Sequence, residues 1–357
     1  MVAKKENPAI EVEVMTERSY QSPVSEEVKQ LMMHPAMTSA TTTVALGQMI
    51  AINTKPAPYH GYFLKATDAA LSGWVSEYQP NYTHQFAGRA GQPGKKELGY
   101  LFHGLADDTL GISADKFPAP MIQVLGHIGP FIEIQRGNAK EWAPPIGLDG
   151  KPLTGKDGIE IRPGDWVGEY QLGGKNPLYD YIKKQGMASL RSVYWIFLWE
   201  RVNGKLQPMH RLPLTLPIHG SAARSLGMSL VQFRSQCATL FATLTEQPVK
   251  TNWSDQFYAN FLFIPVLHPE DQGEGKTSLC TCIQSFSIIP MLNEEQISAT
   301  QFFYAQGQLD SLMGSFAEKS DFHRIIALPP ASIEATIEGD MGDEFPTAPL
   351  MLEGTVE

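Results

Sequence analysis

Apolar positions along this chain change character as it is read from one end to the other. From Thr42 onward they come in short bursts: TVALGQMIAIN, HGYFLKA running into ATDAALSGW, then Trp74–Phe86, Leu98–His103, Met121–Ile128 and Phe131–Gln135. Bursts of that length, with Gly or Pro at most junctions, predict a run of strands. The stretch 137–175 breaks the pattern, being rich in Gly and Pro around one short candidate strand near Ile159–Arg162, and reads as turns and hairpins. Beyond it the pattern firms. SVYWIFLWERV is apolar at both parities and β-branched or aromatic, which predicts a strand buried on both faces.

HRLPLTLPIHG predicts a second strand, with its prolines placing it towards an edge. Leu226, Leu230, Phe233, Cys237, Leu240 and Leu244 then recur at steps of three and four, which predicts a helix over Ser221–Gln247 with Ser221 as its cap. Arg224 and Arg234 lie off that stripe. FYANFLFIPVL and LCTCIQSFSIIP predict two more strands joined by the polar loop HPEDQGEGKTS. A last helix is expected from Asn293, with Glu294 and Glu295 in its first turn, to near Phe316. The fold class is therefore α+β, a β-rich core with two amphipathic helices in the C-terminal half; a barrel of the oligonucleotide-binding kind is one form such a core takes.

The ends differ from the core. Residues 1–41 mix charge, Ser, Thr, Met and Pro without a period and read as a mobile arm, with one short helix at Glu26–Met33. Residues 42–330 read as globular, with 137–175 as the tempting place to divide them. Residues 331–357 carry seven acidic side chains and no Lys or Arg, and read as a disordered tail.

Charge sharpens this layout. The chain of 357 residues has a formal net charge of −10, yet Arg136–Arg234 holds 14 Lys and Arg against 8 Asp and Glu. A positive centre joined to an acidic end lets the tail compete with an anionic ligand for one surface. Three cysteines are too few for a disulfide framework, the N-terminus has no apolar leader, and Val193–Trp199 falls far short of the roughly 20 apolar residues a membrane helix needs. A cytoplasmic protein without a membrane partner is the expectation.

Most chemistry-bearing motifs fail on inspection. GEGKTS at Gly273–Ser278 resembles the end of a phosphate loop, but Glu270 stands where the first Gly belongs and a strand follows where a helix is needed. Cys280 and Cys282 lie on one side of a strand, and only His268 and Cys237 offer themselves as further zinc ligands, so small core thiols are the better reading. His210 and His219 bracket a strand, within reach of one rim. The Asp107–Asp108 pair sits in a turn, and no nucleophile elbow occurs. No cofactor or metal is called for, and an enzyme is left open as the lesser alternative.

What remains is a mixture of cations and flat rings. Trp142, Trp166, Tyr170, Tyr179 and Tyr181 are interleaved with Lys151, Lys156, Arg162, Lys175, Lys183, Lys184 and Arg191. Binding of single-stranded nucleic acid needs this mixture, cations to follow phosphates and rings on which unpaired bases stack. The expected function is a non-enzymatic single-stranded nucleic acid-binding accessory factor of replication or recombination, whose tail regulates access or recruits other proteins. The rival is a structural or assembly subunit of a virion, filament or scaffold, since arms at both ends serve to tie copies together; a homo-oligomer is compatible with either.

Two resemblances bear on this. The blocks VALGQMIAIN…HGYFLKATDAALSGW and SVYWIFLWERVNGKLQPMHRLPLTLPIHGSAARSLG, leading into a helix and FLFIPVL, resemble a family of uncharacterised proteins widespread in cyanobacteria, over about Thr42 to Phe316. That family brings no activity with it. The order strand Val193–Trp199, strand His210–Ile218, helix Ser221–Gln247, strand Phe257–Leu267 and acidic tail is similar in plan to phage-type single-stranded DNA-binding proteins. Such proteins imply a small barrel with an inserted helix and a tail that often ends on an aromatic. Here Phe345 is internal and the chain ends Thr355-Val356-Glu357.

Overall fold

The computed structural model describes residues 46–52, 60–86, 94–104, 115–136, 143–147, 150–155, 158–250, 253–272 and 278–291. The N-terminal arm, Asp107–Asp108, Trp142, Lys156, the centre of the GEGKTS loop, the helix expected from Asn293 and the acidic tail lie outside the described residues. Those described form eleven strands and four helices. Every strand pair with a defined register is antiparallel. The β-rich α+β reading holds.

Two open sheets carry the strands. The smaller has the order β1-β2-β4-β3, from β1 (Met49–Ile52), β2 (Gly61–Lys65), β3 (Tyr82–Gln85) and β4 (Lys96–Phe102). Helix α1 (Ala66–Leu71) follows β2 directly. The larger runs β11-β10-β5-β7-β8, with β6 on β5 and β9 on β7. Its members are β5 (Met121–Ile134), β6 (Trp166–Glu169), β7 (Ala188–Val202), β8 (Lys205–Pro208), β9 (Leu214–His219), β10 (Phe261–Gln272) and β11 (Ser278–Pro290). Among the described residues no barrel closure is seen.

Several expectations change in detail. The two segments Met121–Ile128 and Phe131–Gln135 form one continuous strand, β5. Of Trp74–Phe86 only β3 is a strand, because the backbone of Val75 and Ser76 donates instead to the Met209 carbonyl, at 2.9 and 3.2 Å. Near Ile159–Arg162 there is a single bridge, Thr154 with Glu160, rather than a strand. The loop between the last two strands is shorter than read, since the ladder of β10 and β11 continues to Gln272 opposite Ser278.

Contacts divide the described residues into two units. The first takes the segments up to His127, Tyr194–Pro217 and those from Ser229 onward; the second takes Ile128–Val193 and Ile218–Met228. Residues 137–175 belong to the second.

In the first unit the aromatic strand β7 behaves as its sequence requires. Tyr194, Trp195, Ile196, Leu198 and Trp199 are all buried, on both parities. One buried side chain in this core joins two other polar groups. Gln123 Nε2 donates to the Ala259 carbonyl at 2.9 Å, and Gln123 Oε1 accepts the Trp199 indole N–H at 3.0 Å. The long helix α3 (Gly220–Thr245) belongs to the second unit up to Met228 and to the first from Ser229; it starts at Gly220, so Ser221 sits in its first turn rather than capping it. Its stripe buries Leu226, Leu230, Phe233 and Cys237 as the spacing demands. Leu244 is exposed; near that end the ring of Phe241 meets Trp253 and Phe257 at 5.5 and 5.2 Å, and Ala238 and Ala242 are buried instead. The short helix α4 (Asp255–Tyr258) begins on Ser254, whose side chain accepts the Phe257 amide. Residues read as the start of a strand at Phe257 are thus helical, and β10 begins at Phe261. No helix among the described residues is long and apolar enough to cross a membrane.

Candidate functional site

The basic and aromatic residues singled out in the sequence fall in the second unit, where Ile132, Ile134, Leu153, Ile161, Val167 and Ile182 form the core. Helix α2 (Pro177–Lys184) covers it. Its sequence, PLYDYIKK, is a good short helix: Pro at the first turn, an early Asp180, and Lys183 and Lys184 at the end where cations suit the helix dipole. Ile182 is buried while Leu178, Tyr179 and Tyr181 are half-buried against the core, and both lysines are exposed.

The loop before α2 is pinned by one side chain. Asn176 Oδ1 accepts the Gln171 amide at 2.6 Å, and its Nδ2 donates to the carbonyls of Gln171 and Gly174, each at 2.8 Å. Leu172 of this loop packs on the first turns of α3 at Gly227, where an added Cβ would come 2.8 Å from Leu172 Cδ1. That close approach sets the loop beside Arg224.

The result is a ring cluster with cations around it. Tyr170 and Tyr179 meet edge to face at 5.0 Å. The Lys183 ammonium lies 5.7 Å from the centre of the Tyr179 ring. Burial pushes the Tyr179 hydroxyl above its ordinary range, Tyr170 adds to the rise, and the charge of exposed Arg224 opposes it. Tyr181 belongs to the opposite flank of α2, where its hydroxyl donates to the Ile146 carbonyl at 2.8 Å. Lys151, Arg162 and Lys175 are exposed elsewhere on this unit, and the Arg162 amide is held by Asp165 at 2.8 Å.

Two of the residues proposed from the sequence are engaged inside the unit. Trp166 is 4% exposed, and its ring stacks on Phe131 at 5.1 Å with the Arg191 guanidinium 5.8 Å away. Neither face of Trp166 is open to a base as it stands. Arg191 Nη1 is 3.5 Å from Glu133 Oε1 and 3.1 Å from His219 Nδ1. Burial lowers the Arg191 pKa, and the Glu133 charge works against that shift.

A family described as Domain of unknown function (DUF5895) has a model that matches residues 164–323, a stretch containing β6 to β11 and α2 to α4. No curated protein and no solved structure matches the chain. The matched stretch includes Tyr170, Tyr179, Lys183, Lys184, Arg191, His219 and Arg224, and excludes Glu133 and Lys151.

Other candidates from the sequence resolve differently. His210 is buried in the first unit, its Nδ1 donating to the Leu212 carbonyl at 2.7 Å and its Nε2 accepting the Leu198 amide at 2.8 Å. Both nitrogens are thus committed to backbone, a structural role. His219 stands with Glu133 and Arg191 in the second unit. Cys237 and Cys282 are buried and Cys280 half-buried, with no disulfide between them. Burial pushes the Cys237 thiol up to about 12, which makes it inert rather than nucleophilic. Among the described residues no group of three or more His, Cys, Asp and Glu is placed to hold a metal ion.

The spacing of rings and lysines in the sequence points to this unit but not to its order. Arg224 escapes such a reading as a neighbour of Tyr179 because it lies on α3, 45 residues away in the chain. Helix α2 is legible in Asn176-Pro177 followed by an acid and then two lysines, the start and stop signals of a short helix.

Proposed function

We propose that this protein binds single-stranded nucleic acid as a non-enzymatic accessory factor, through the surface around Tyr179. The observation that carries the reading is the Tyr170–Tyr179 ring pair with Lys183 over one ring, exposed Lys184 beside it on α2, and Arg224 close enough to act on Tyr179 electrostatically. Half-buried tyrosines held by a core below them offer stacking at little entropic cost, and the cations above follow the phosphates. The exposed Lys151, Arg162 and Lys175 extend the positive field without being needed for stacking. Trp166 and Arg191 belong to the internal packing of the same unit.

The acidic residues 331–357 would then compete with the ligand for the same cations or recruit proteins of replication or recombination, as the resemblance in plan to phage-type single-stranded DNA-binding proteins implies. The test is fluorescence anisotropy with labelled single- and double-stranded oligonucleotides at two salt concentrations, comparing the intact chain with one ending at Pro330. Salt-sensitive binding to single strands that tightens without the tail supports both the surface and the competition. No binding by either chain at low salt overturns them.

A further inference from the structure

The first unit holds a ring cluster that the proposed surface does not use, built where the end of α3 meets α4. Trp253 stacks on Phe257, with the ring centres 4.2 Å apart and the planes 15° from parallel. Phe241 of α3 meets both rings edge to face, at 5.5 and 5.2 Å. Phe257 is fixed in turn by α4, whose cap Ser254 accepts its amide, and by the rings of Tyr258 and Phe261 at 5.2 and 5.4 Å. Arg234 ties α4 to α3, its Nη2 lying 2.6 Å from Asp255 Oδ1. The Trp253 indole N–H is buried and makes no hydrogen bond among the described residues, so it is stacking and edge contacts that orient this ring.

Trp253 and Trp166 differ in what covers them. Trp166 is 4% exposed, and its cation, Arg191, is itself largely buried beside Glu133. Trp253 is half-buried. Phe257 fills one of its faces at stacking distance, which leaves the other to the Lys250 ammonium, 5.5 Å from the ring centre. Lys250 is exposed, and among the described residues no carboxylate pairs with it. A cation over a ring is weakly held at an exposed site, so this ammonium can turn aside to a phosphate and yield the face to a base. A fixed indole loses little freedom when something stacks on it, and a cation within reach is the second group a nucleotide needs.

We infer that Trp253 is a stacking platform for an unpaired nucleobase, with Lys250 taking the adjoining phosphate. Phe241 and Phe257 are positioning residues that fix the plane of the indole. The choice of ligand rests on the function proposed above, which this platform extends from the second unit to the first by one more base contact.

The experiment is fluorine NMR of the full chain carrying 5-fluorotryptophan, titrated with oligothymidylate and, separately, with thymidine monophosphate. The Trp253 resonance is assigned by its loss in Trp253→Phe, and it should shift saturably with either probe. Trp253→Leu should weaken binding of the oligonucleotide, read by anisotropy, by about 5- to 150-fold, the range for one stacked base, while Trp253→Phe keeps a ring and should lose less. Lys250→Gln should make the salt dependence shallower by about 0.7 in slope. Circular dichroism confirms that each variant is folded. Photo-crosslinking of a strand carrying 5-iodouracil to the unmutated chain needs no variant, and the linked peptide should contain Trp253. If single strands bind but the Trp253 resonance stays still and that peptide is not linked, the platform is overturned and the function proposed above stands. If strands do not bind while Trp253 responds to thymidine monophosphate, the platform stands and that function falls. No strand binding and no response to either probe overturn both.

Discussion

The ring of His210 is clamped between two backbone groups, accepting the Leu198 amide on Nε2 and donating from Nδ1 to the Leu212 carbonyl. Those two bonds require the neutral tautomer with its proton on Nδ1. A protonated ring would lose the Leu198 acceptor and place a charge in the core, and burial accordingly lowers the His210 pKa to about 4.

Stability should therefore fall in mild acid. The unfolded ring binds a proton near 6.5 and the folded one only near 4, so unfolding takes up a proton between those values. The contribution is neutral above about pH 6.5, becomes increasingly destabilising as pH drops, and levels off below about 4 at about 3 kcal/mol for this one group. His103 behaves in the same direction, its pKa lowered to about 4 chiefly by burial and further by the neighbouring charge of His60. Burial also lowers His60, His84 and His127. Urea denaturation at pH 7.5, 6 and 5 should show a steadily falling midpoint, and His210→Asn should flatten part of that slope while lowering stability at neutral pH.

Gln123 joins two buried groups, the Trp199 indole N–H and the Ala259 carbonyl. In Gln123→Leu the Trp199 indole N–H and the Ala259 carbonyl lose these partners in the core. Each such group costs about 1–3 kcal/mol, so a drop of about 2–6 kcal/mol is expected from chemical denaturation, against less than about 1 kcal/mol for an exposed change such as Gln284→Leu.

Reversing Lys183 and Lys184 to Glu removes cations beside Tyr179 without touching the core. Binding of single strands should weaken at every sequence tested, and the dependence of log affinity on log salt should become shallower by about 0.7 for each phosphate that is no longer neutralised. An unchanged slope would place the ligand elsewhere. The fold should be unaffected, as both side chains are exposed.

Tyr179→Leu separates stacking from packing. Leucine retains apolar packing against Tyr170 and the core but offers no ring face. Affinity for single strands should drop by about 1–3 kcal/mol with little change in salt slope, while thermal stability shifts modestly. A variant with unaltered affinity would remove Tyr179 from the interface.

Part of the fold and of the site is legible in the chain. The pattern of Val193–Trp199 admits only a strand buried on both faces, and the structure buries it so. Local turn chemistry is legible too: Asn203-Gly204, with φ of 51° and 79°, closes the β7–β8 hairpin and is a strong two-residue turn signal that strand periodicity alone does not bring out. The candidate residues Lys183 and Tyr179 stand out because rings and cations alternate within a few positions.

What the sequence determined by itself is whatever depends on neighbours a few residues apart: period, turn chemistry, charge blocks and the apolar stripe of α3 from Leu226 to Cys237. The tertiary structure decided the rest. It exposed Leu244 and turned the end of α3 towards Trp253 and Phe257, buried Trp166 against Phe131 and Arg191, brought Arg224 near Tyr179, and gathered Glu133, Arg191 and His219 from three strands. A helix face or a ring is buried by whatever packs on it, and those partners come from segments tens of residues away. Strand pairing sets which ones arrive, and no local pattern encodes that.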